Sequence, residues 1–390
     1  MVNKKSQKIK VLFRHRSMEM GGVEKVLLSM LNNLDREKFE LSVGINLYQG
    51  ELRNALPQGV KVSFLAGGKE DFPKGKILNK IFLIARGVKL FLFRKFPIIP
   101  NKFILNNNAD VEIATGYTMF EDVLNSSNKK SKKVGWFHSD ITSIGFSSIR
   151  TQLLKQIVRF DYFIFGSQQA HDIFKQTYPD VKLPPNKVVL NAIPIDEIRI
   201  KSNEKKIEKS NVPTFIAVGR LHNRKGFHIL AEAHQEVLRK NIKHRILVIG
   251  DGEEKGNLSK LIERLKIQDT FKLLGAKINP YPYIKSSDYF IMSSRSEGWP
   301  LIIAEALLLK KPIIATNVGG IPEMIKHKEN GYLVGYDKIE IANGIEEFLS
   351  NKELIDNINS NLENIEKQFD NRKVFDSIQD VIVNLVQNDR

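Results

Sequence analysis

At 390 residues the chain exceeds the size at which a single hydrophobic core keeps growing, so two domains of similar size are expected. With 42% hydrophobic and 27% charged residues it is neither disordered throughout nor a collagen-like or coiled-coil repeat, and the lack of cysteine excludes disulfides, thiolate metal sites and a cysteine nucleophile. The charge is uneven: residues 1–195 hold 30 Lys/Arg against 16 Asp/Glu and residues 196–390 hold 30 against 28, so the basic first half is suited to an anionic surface. Met1 to Lys10 is polar, unlike a secretory signal, and no apolar run approaches the length of a membrane span. A cytoplasmic protein is expected.

In chain order, the strand Lys10–Phe13 leads through a Gly21-Gly22 turn into a helix over Val23–Leu34, whose apolar Val26, Leu27, Met30, Leu31 and Leu34 share one face. Strand-like runs recur at Leu41–Ile45, Val60–Phe64, Val111–Ala114, Val134–Phe137 and Tyr162–Phe165. The polar segment Lys201–Asn211 reads as a linker, after which the pattern restarts. Strands at Pro213–Val218, Arg245–Ile249, Phe271–Leu274, Tyr289–Met292 and Pro312–Ala315 alternate with helices at Phe227–Lys240, Leu258–Leu265 and Leu301–Leu309, and the last fifty or so residues look helical. Alternation of this kind predicts an α/β fold of two Rossmann-like βαβ domains facing a cleft, with ligands at the carboxyl ends of the strands. The expected division is an N-terminal domain at 1–200, a linker at 201–211, a C-terminal domain at 212–365 and a helical segment at 366–390.

The densest motif is Ser296-Glu297-Gly298-Trp299-Pro300-Leu301-Ile302-Ile303-Ala304-Glu305. Pro300 presets the first turn of a helix whose free amides near Leu301 and Ile302 suit a phosphate. Glu297 in the loop and Glu305 a turn inside the helix offer two carboxylates, one for ribose hydroxyls and the other for a sugar beyond the phosphates. Gly219-Arg220 followed by Lys225-Gly226 places two cations in a loop after a strand, where they suit a diphosphate. Gly250-Asp251-Gly252 supplies a tight turn. No Asp-x-Asp occurs, so Arg220 and Lys225 take the place of a metal at the diphosphate, and no metal or other cofactor is expected. Apart from His138, the histidines, His15 among them, show no metal-ligand spacing and read as surface or packing residues.

Together with Gly21-Gly22-Val23-Glu24, Phe137-His138-Ser139-Asp140 and Asn191-Ala192-Ile193, these motifs resemble the GT-B glycosyltransferases of the large family 4, which move a sugar from a nucleotide diphosphate with retention of anomeric configuration. The resemblance spans essentially the whole chain. It implies that Arg220 and Lys225 hold the diphosphate, that Glu305 holds the ribose, that Glu297 and His138 lie beside the donor sugar as catalytic residues, and that Gly22 approaches donor phosphate or acceptor, with Gly298 and Pro300 shaping the donor loop. Ala192 stands where the family usually has glycine. By family frequency a UDP-sugar is favoured over GDP-mannose, and the implied product is a cell-surface polysaccharide, such as a capsule, or a glycolipid.

The segment Lys74–Lys102 is basic and apolar by turns: Lys76, Lys80 and Arg94 share one side with Arg86 nearby, leaving Ile77, Ile81, Phe82, Ile84, Leu92 and Phe93 on a wide face. This suits a helix lying in a membrane interface, with Lys76, Lys80, Arg86 and Arg94 at the headgroups and Phe82, Leu92 and Phe93 at the acyl boundary. The expected partners are therefore a nucleotide-sugar donor, a lipid-linked saccharide acceptor and the anionic inner face of the cell membrane, with the protein peripheral on it. An ordinary core-facing helix is the competing reading of the segment. Two other classes stay open: a GT-B nucleotide-sugar epimerase, which releases product without an acceptor, and a nucleic-acid-binding protein, for which the sequence offers no recognition helix, zinc ligands or RNA-binding aromatic motif.

Overall fold

The computed structural model describes residues 7–142 and 144–387. Strands β1 (Ile9–His15), β2 (Phe39–Tyr48), β3 (Lys61–Gly67), β4 (Val111–Ala114), β5 (Lys132–Phe137), β6 (Tyr162–Phe165) and β7 (Asn186–Val188) form one sheet in the order β3-β2-β1-β4-β5-β6-β7. Strands β8 (Thr214–Val218), β9 (Arg245–Ile249), β10 (Phe271–Leu273), β11 (Tyr289–Met292), β12 (Ile313–Thr316) and β13 (Tyr332–Val334) form a second, in the order β10-β9-β8-β11-β12-β13. Neighbouring strands are parallel throughout, as in Val11 opposite Leu41 and Val111, or Ile216 opposite Leu247 and Phe290. Parallel strands are covered on both faces, which is why every residue of β4 and β12 is buried, Glu112 included. In each sheet the order reverses once, between β1 and β4 and between β8 and β11. Those are the switch points at which a doubly wound sheet opens a crevice beyond its carboxyl ends.

The chain divides into one compact unit of Met1–Ala192 with Asn371–Arg390 and another of Ile193–Asp370. This corrects the expected boundaries at both ends. The helix Ile195–Ser202 packs on the helices Tyr281–Ser286 and Leu301–Leu308, so it belongs to the second unit. The polar stretch read as a linker is pinned to that unit as well. Lys285 Nζ donates to Asn203 Oδ1 at 2.5 Å, Asn279 Nδ2 to Glu204 Oε2 at 2.7 Å, and Lys209 pairs with Asp288 at 2.9 Å. The final helix, Asn371–Gln387, turns Ile378, Val381 and Ile382 inward at i, i+3 and i+4 and packs near β4 of the first unit.

Two helices of the first unit bear on function. Helix α1 (Gly22–Asn33) buries Val26, Leu27, Met30 and Leu31 and begins directly after β1. Helix α2 (Lys76–Lys95) has no buried residue, and its outward face is the apolar one: Ile77 is 79% exposed, Ile84 59% and Phe91 64%, with Ile81 and Val88 exposed between them. The segment is helical and exposed as expected, but its inward side differs from the sequence reading. Arg86 Nη1 donates to Gln49 Oε1 at 2.9 Å and its guanidinium stands over the Phe72 ring, Arg94 pairs with Asp122 at 3.4 Å, and Phe93 is half-buried. Two of the four headgroup cations and one acyl anchor therefore face the protein, because a helix laid against a sheet edge spends its polar reach on the nearest partners. Lys76, Lys80, Phe82 and Leu92 remain exposed. Among the described residues no helix is long and apolar enough to cross a membrane.

Candidate active site

In the second unit the site is built at the β8/β11 switch point. The chain leaves β8 at Gly219 and passes through a single 3-10 turn, Asn223–Lys225, which ends at Gly226 with φ +67°. A Cβ on Gly226 would collide with the Ser293 carbonyl, so only glycine lets this turn settle against the end of β11. That contact carries Lys225 and Arg224 to Glu297, in the loop after β11. Lys225 Nζ lies 2.6 Å from Glu297 Oε1, and Arg224 Nη1 lies 3.1 Å from Oε2 and 2.6 Å from the Ser296 carbonyl. The Glu297 carboxylate is buried. Burial alone would raise its pKa, but the charges of Lys225 and then Arg224 outweigh that and hold it below the usual range. An anionic carboxylate and two cations thus stand together at the crevice.

The next loop closes on the first. Gly319, at φ +57°, is a glycine because a Cβ there would meet the Glu297 carbonyl, and Gly320 N donates to the Gly298 carbonyl at 2.6 Å. Pro300 then opens the helix Leu301–Leu308 from an extended conformation, leaving the Leu301 and Ile302 amides in its first turn without intrahelical acceptors. Glu305 sits lower in that helix and is wholly buried, where the Tyr281 hydroxyl bonds to its carboxylate. Burial first, and Glu305 second, push the Tyr281 phenol far up and keep it a donor. Glu305, expected to hold the ribose, is thus packed within its unit with the Tyr281 hydroxyl on its carboxylate. Arg220 is exposed and pairs with Glu253 at 3.5 Å. The residue sequence reasoning missed is Arg224, one position from a cation it did single out, with no local signal for its partner.

In the first unit the corresponding switch point gathers His15, Glu24, Thr115 and His138. His15 ends β1 and is buried, its Nδ1 2.6 Å from Thr115 Oγ1 and its Nε2 3.6 Å from Glu24 Oε1. It is a packed residue, as read from the sequence, yet its place beside Glu24 of the Gly-Gly-Val-Glu motif puts it in the site. His138 follows β5, stacked on Trp136 at 5.1 Å and facing Asn191 and the Thr115 backbone. Burial, reinforced by His15, depresses its pKa to about 4, so it is neutral at pH 7. Gly22 is exposed at the start of α1, where the first amides have no intrahelical acceptor.

Residues 199–364 match the family model of the glycosyl transferases group 1. The chain is 26% identical to a Haemophilus influenzae protein described as an uncharacterized glycosyltransferase, over 77% of this chain and 85% of that one. The family model and the relatives named glycosyltransferases together support glycosyl transfer as the activity of this chain. A second relative of the enzyme, the lipopolysaccharide core biosynthesis glycosyltransferase LpsE of Rhizobium meliloti, is 31% identical over 37% of this chain and 42% of its own. Among solved structures, Anabaena HepE in complex with UDP-glucose superimposes with a TM-score of 0.74 at 21% identity, covering 96% of this chain and all of that one. The enzyme therefore has the GT-B fold, as its two parallel sheets and helical C-terminus were expected to give.

Proposed function

We propose that this glycosyltransferase moves a sugar from a nucleotide diphosphate, a UDP-sugar before GDP-mannose, to a membrane-associated saccharide acceptor with retention of configuration. The observation that carries the reading is the Lys225–Arg224–Glu297 cluster set beside the open amides of Leu301 and Ile302 at a switch point. In the transfer, the bond from the anomeric carbon to the diphosphate breaks, and the acceptor oxygen bonds to that carbon on the same face. The acceptor proton goes to a departing phosphate oxygen. Lys225, Arg220 and the helix amides offset the charge that builds on the diphosphate, and the anionic Glu297 lies where positive charge grows on the sugar. His138, neutral at pH 7, can accept a hydrogen bond from a sugar hydroxyl without repelling an oxocarbenium-like centre. Glu305, with two carboxylate oxygens, can accept a ribose hydroxyl while it keeps the Tyr281 hydroxyl. The absence of Asp-x-Asp favours a metal-independent reaction.

HepE binds UDP-glucose, and LpsE is named for lipopolysaccharide core biosynthesis. These relatives support a UDP-sugar donor and a cell-envelope glycan, a polysaccharide such as a capsule or a glycolipid, as the product. For a membrane acceptor the support is α2: from residue 72 to 109 the chain has eight Lys or Arg and no Asp or Glu, and the helix points its apolar side outward. The enzyme would then be peripheral on the anionic inner face of the cell membrane. A thermal-shift comparison tests the donor: UDP should raise the melting temperature more than GDP. Product anomers read by NMR with a chelator present test the rest. Inverted product, or activity abolished by the chelator, would overturn the corresponding part of the reading.

A further inference from the structure

Beneath α2 lies a cavity of about 500 Å³, walled by residues of β1–β3 on one side and the second half of α2 on the other. Leu65, Leu90 and Phe93 make its walls chiefly apolar. Two buried polar side chains nevertheless line it with groups left over. Arg14 is 2% exposed; its Nη1 reaches Asn101 Oδ1 at 3.4 Å and Glu112 at 3.9 Å, while its Nε has no partner. Asn46 is 8% exposed and gives its amide to Asp122 at 2.6 Å, leaving Oδ1 unbonded. Buried guanidinium and amide groups are costly to leave unpaired, and when they line a cavity they mark a place for a polar ligand atom. Three arginines, Arg14, Arg16 and Arg94, line the cavity against two carboxylates, Glu121 and Asp122, so its lining carries a net positive charge. Phe91 belongs both to the lining and to the exposed apolar face of α2, which makes that face continuous with the interior.

A chiefly apolar chamber whose lining carries a small net positive charge suits an amphiphile that carries one anionic group. We propose that this cavity holds the lipid end of the acceptor, with hydrocarbon against Leu65, Leu90 and Phe93 and a phosphate against the guanidinium groups of Arg14 and Arg94. The assignment rests on the membrane-acceptor reading and narrows it to a lipid-linked phosphate whose chain leaves the bilayer beneath α2. All of its lining residues belong to the first unit.

The probe is dodecyl phosphate below its micellar concentration, titrated calorimetrically into the full chain. One equivalent should bind, at least tenfold tighter than inorganic phosphate. Gly87 lines the cavity and a Cβ there meets no atom within 4 Å, so the backbone admits a side chain at this position, and Gly87→Phe is the variant chosen to narrow the space. This variant should bind dodecyl phosphate at least tenfold more weakly, and Arg94→Gln should weaken it about fivefold, while both keep the wild-type circular dichroism spectrum and flotation on phosphatidylglycerol vesicles. Unchanged binding by Gly87→Phe and Arg94→Gln, or equal affinity for dodecyl and inorganic phosphate, overturns the cavity assignment and leaves the membrane reading standing. Tight, variant-sensitive binding by a protein that fails to float on vesicles supports the cavity and overturns peripheral attachment instead.

Discussion

Seventy-two residues separate Lys225 from Glu297, and their ion pair forms because two glycines, Gly226 and Gly319, admit carbonyls where any side chain would collide. Lys225 is largely buried in that pair, so its charge acts in a region of reduced dielectric and is worth more to a developing diphosphate anion than a solvated lysine. Replacing it by methionine should therefore cut turnover about a hundredfold or more and abolish the melting-temperature rise given by UDP, with the far-ultraviolet spectrum unchanged. Glu297→Gln should lower turnover on the same order while retaining that rise, since it leaves the lysine in place and releases it from the ion pair. If both variants turn over within tenfold of the wild type, the cluster does not serve the donor. The carboxylates and Lys225 were legible in the sequence because their motif is dense. Their mutual pairing was not, because it depends on two loops brought together, nor was the engagement of Glu305 with Tyr281, because it joins two helices far apart in sequence.

Helix α2 shows where pattern reading succeeds and where it inverts. Its period of apolar residues was visible, but an amphipathic pattern alone does not say which face turns inward. The structure settles it through Arg86 on Gln49 and Arg94 on Asp122, two contacts with no trace in local sequence. The cations left for an anionic surface are Lys76, Lys80, Lys89 and Lys95, all exposed. Each is worth roughly 1 kcal/mol near anionic lipid, and the apolar face adds a part that salt does not screen. The wild type should float with phosphatidylglycerol vesicles, less so at high salt, and a variant with these four lysines changed to glutamate should stay down while still responding to UDP. Equal flotation of the two would remove the charge complementarity on which the membrane reading stands; a wild-type dimer in sedimentation that α2 substitutions dissolve would assign the face to a second copy instead. The three-residue strand β7, Asn-Lys-Val, escaped the sequence because it has a single apolar residue, whereas the equally short β10 was read from the apolar residues of Phe271–Leu274.

At the scale of the whole chain, alternating strands and helices made the two parallel sheets legible, whereas the boundary at Ala192 was hidden by a polar stretch whose Asn, Glu and Lys residues turn out to be tied down. Both units also share a liability that only the fold reveals. In the second, His234 Nδ1 lies 2.7 Å from His244 Nε2 and its Nε2 lies 2.8 Å from Thr270 Oγ1, all within the protein interior. Burial, with His244 beside it, depresses His234 to about 3, burial lowers His244 as well, and in the first unit His138 stands at about 4. A histidine whose folded pKa is depressed stays neutral in the native state while its unfolded form takes up a proton below about 6.5. The unfolded chain then binds more protons, so stability is complete above that pH and is lost as pH falls towards the folded values, by up to about 1.4 kcal/mol per pH unit for each group. Carboxylates held low, Glu297 among them, add their losses only below the ordinary carboxylate range, so the window from about 6.5 to about 4.5 belongs to the histidines. The urea midpoint should fall steadily from pH 7 to pH 5, and His234→Gln, whatever its stability at pH 7, should show a shallower fall over that interval. A midpoint independent of pH there, or a slope unchanged by the substitution, would show that the buried histidines bind protons equally in both states.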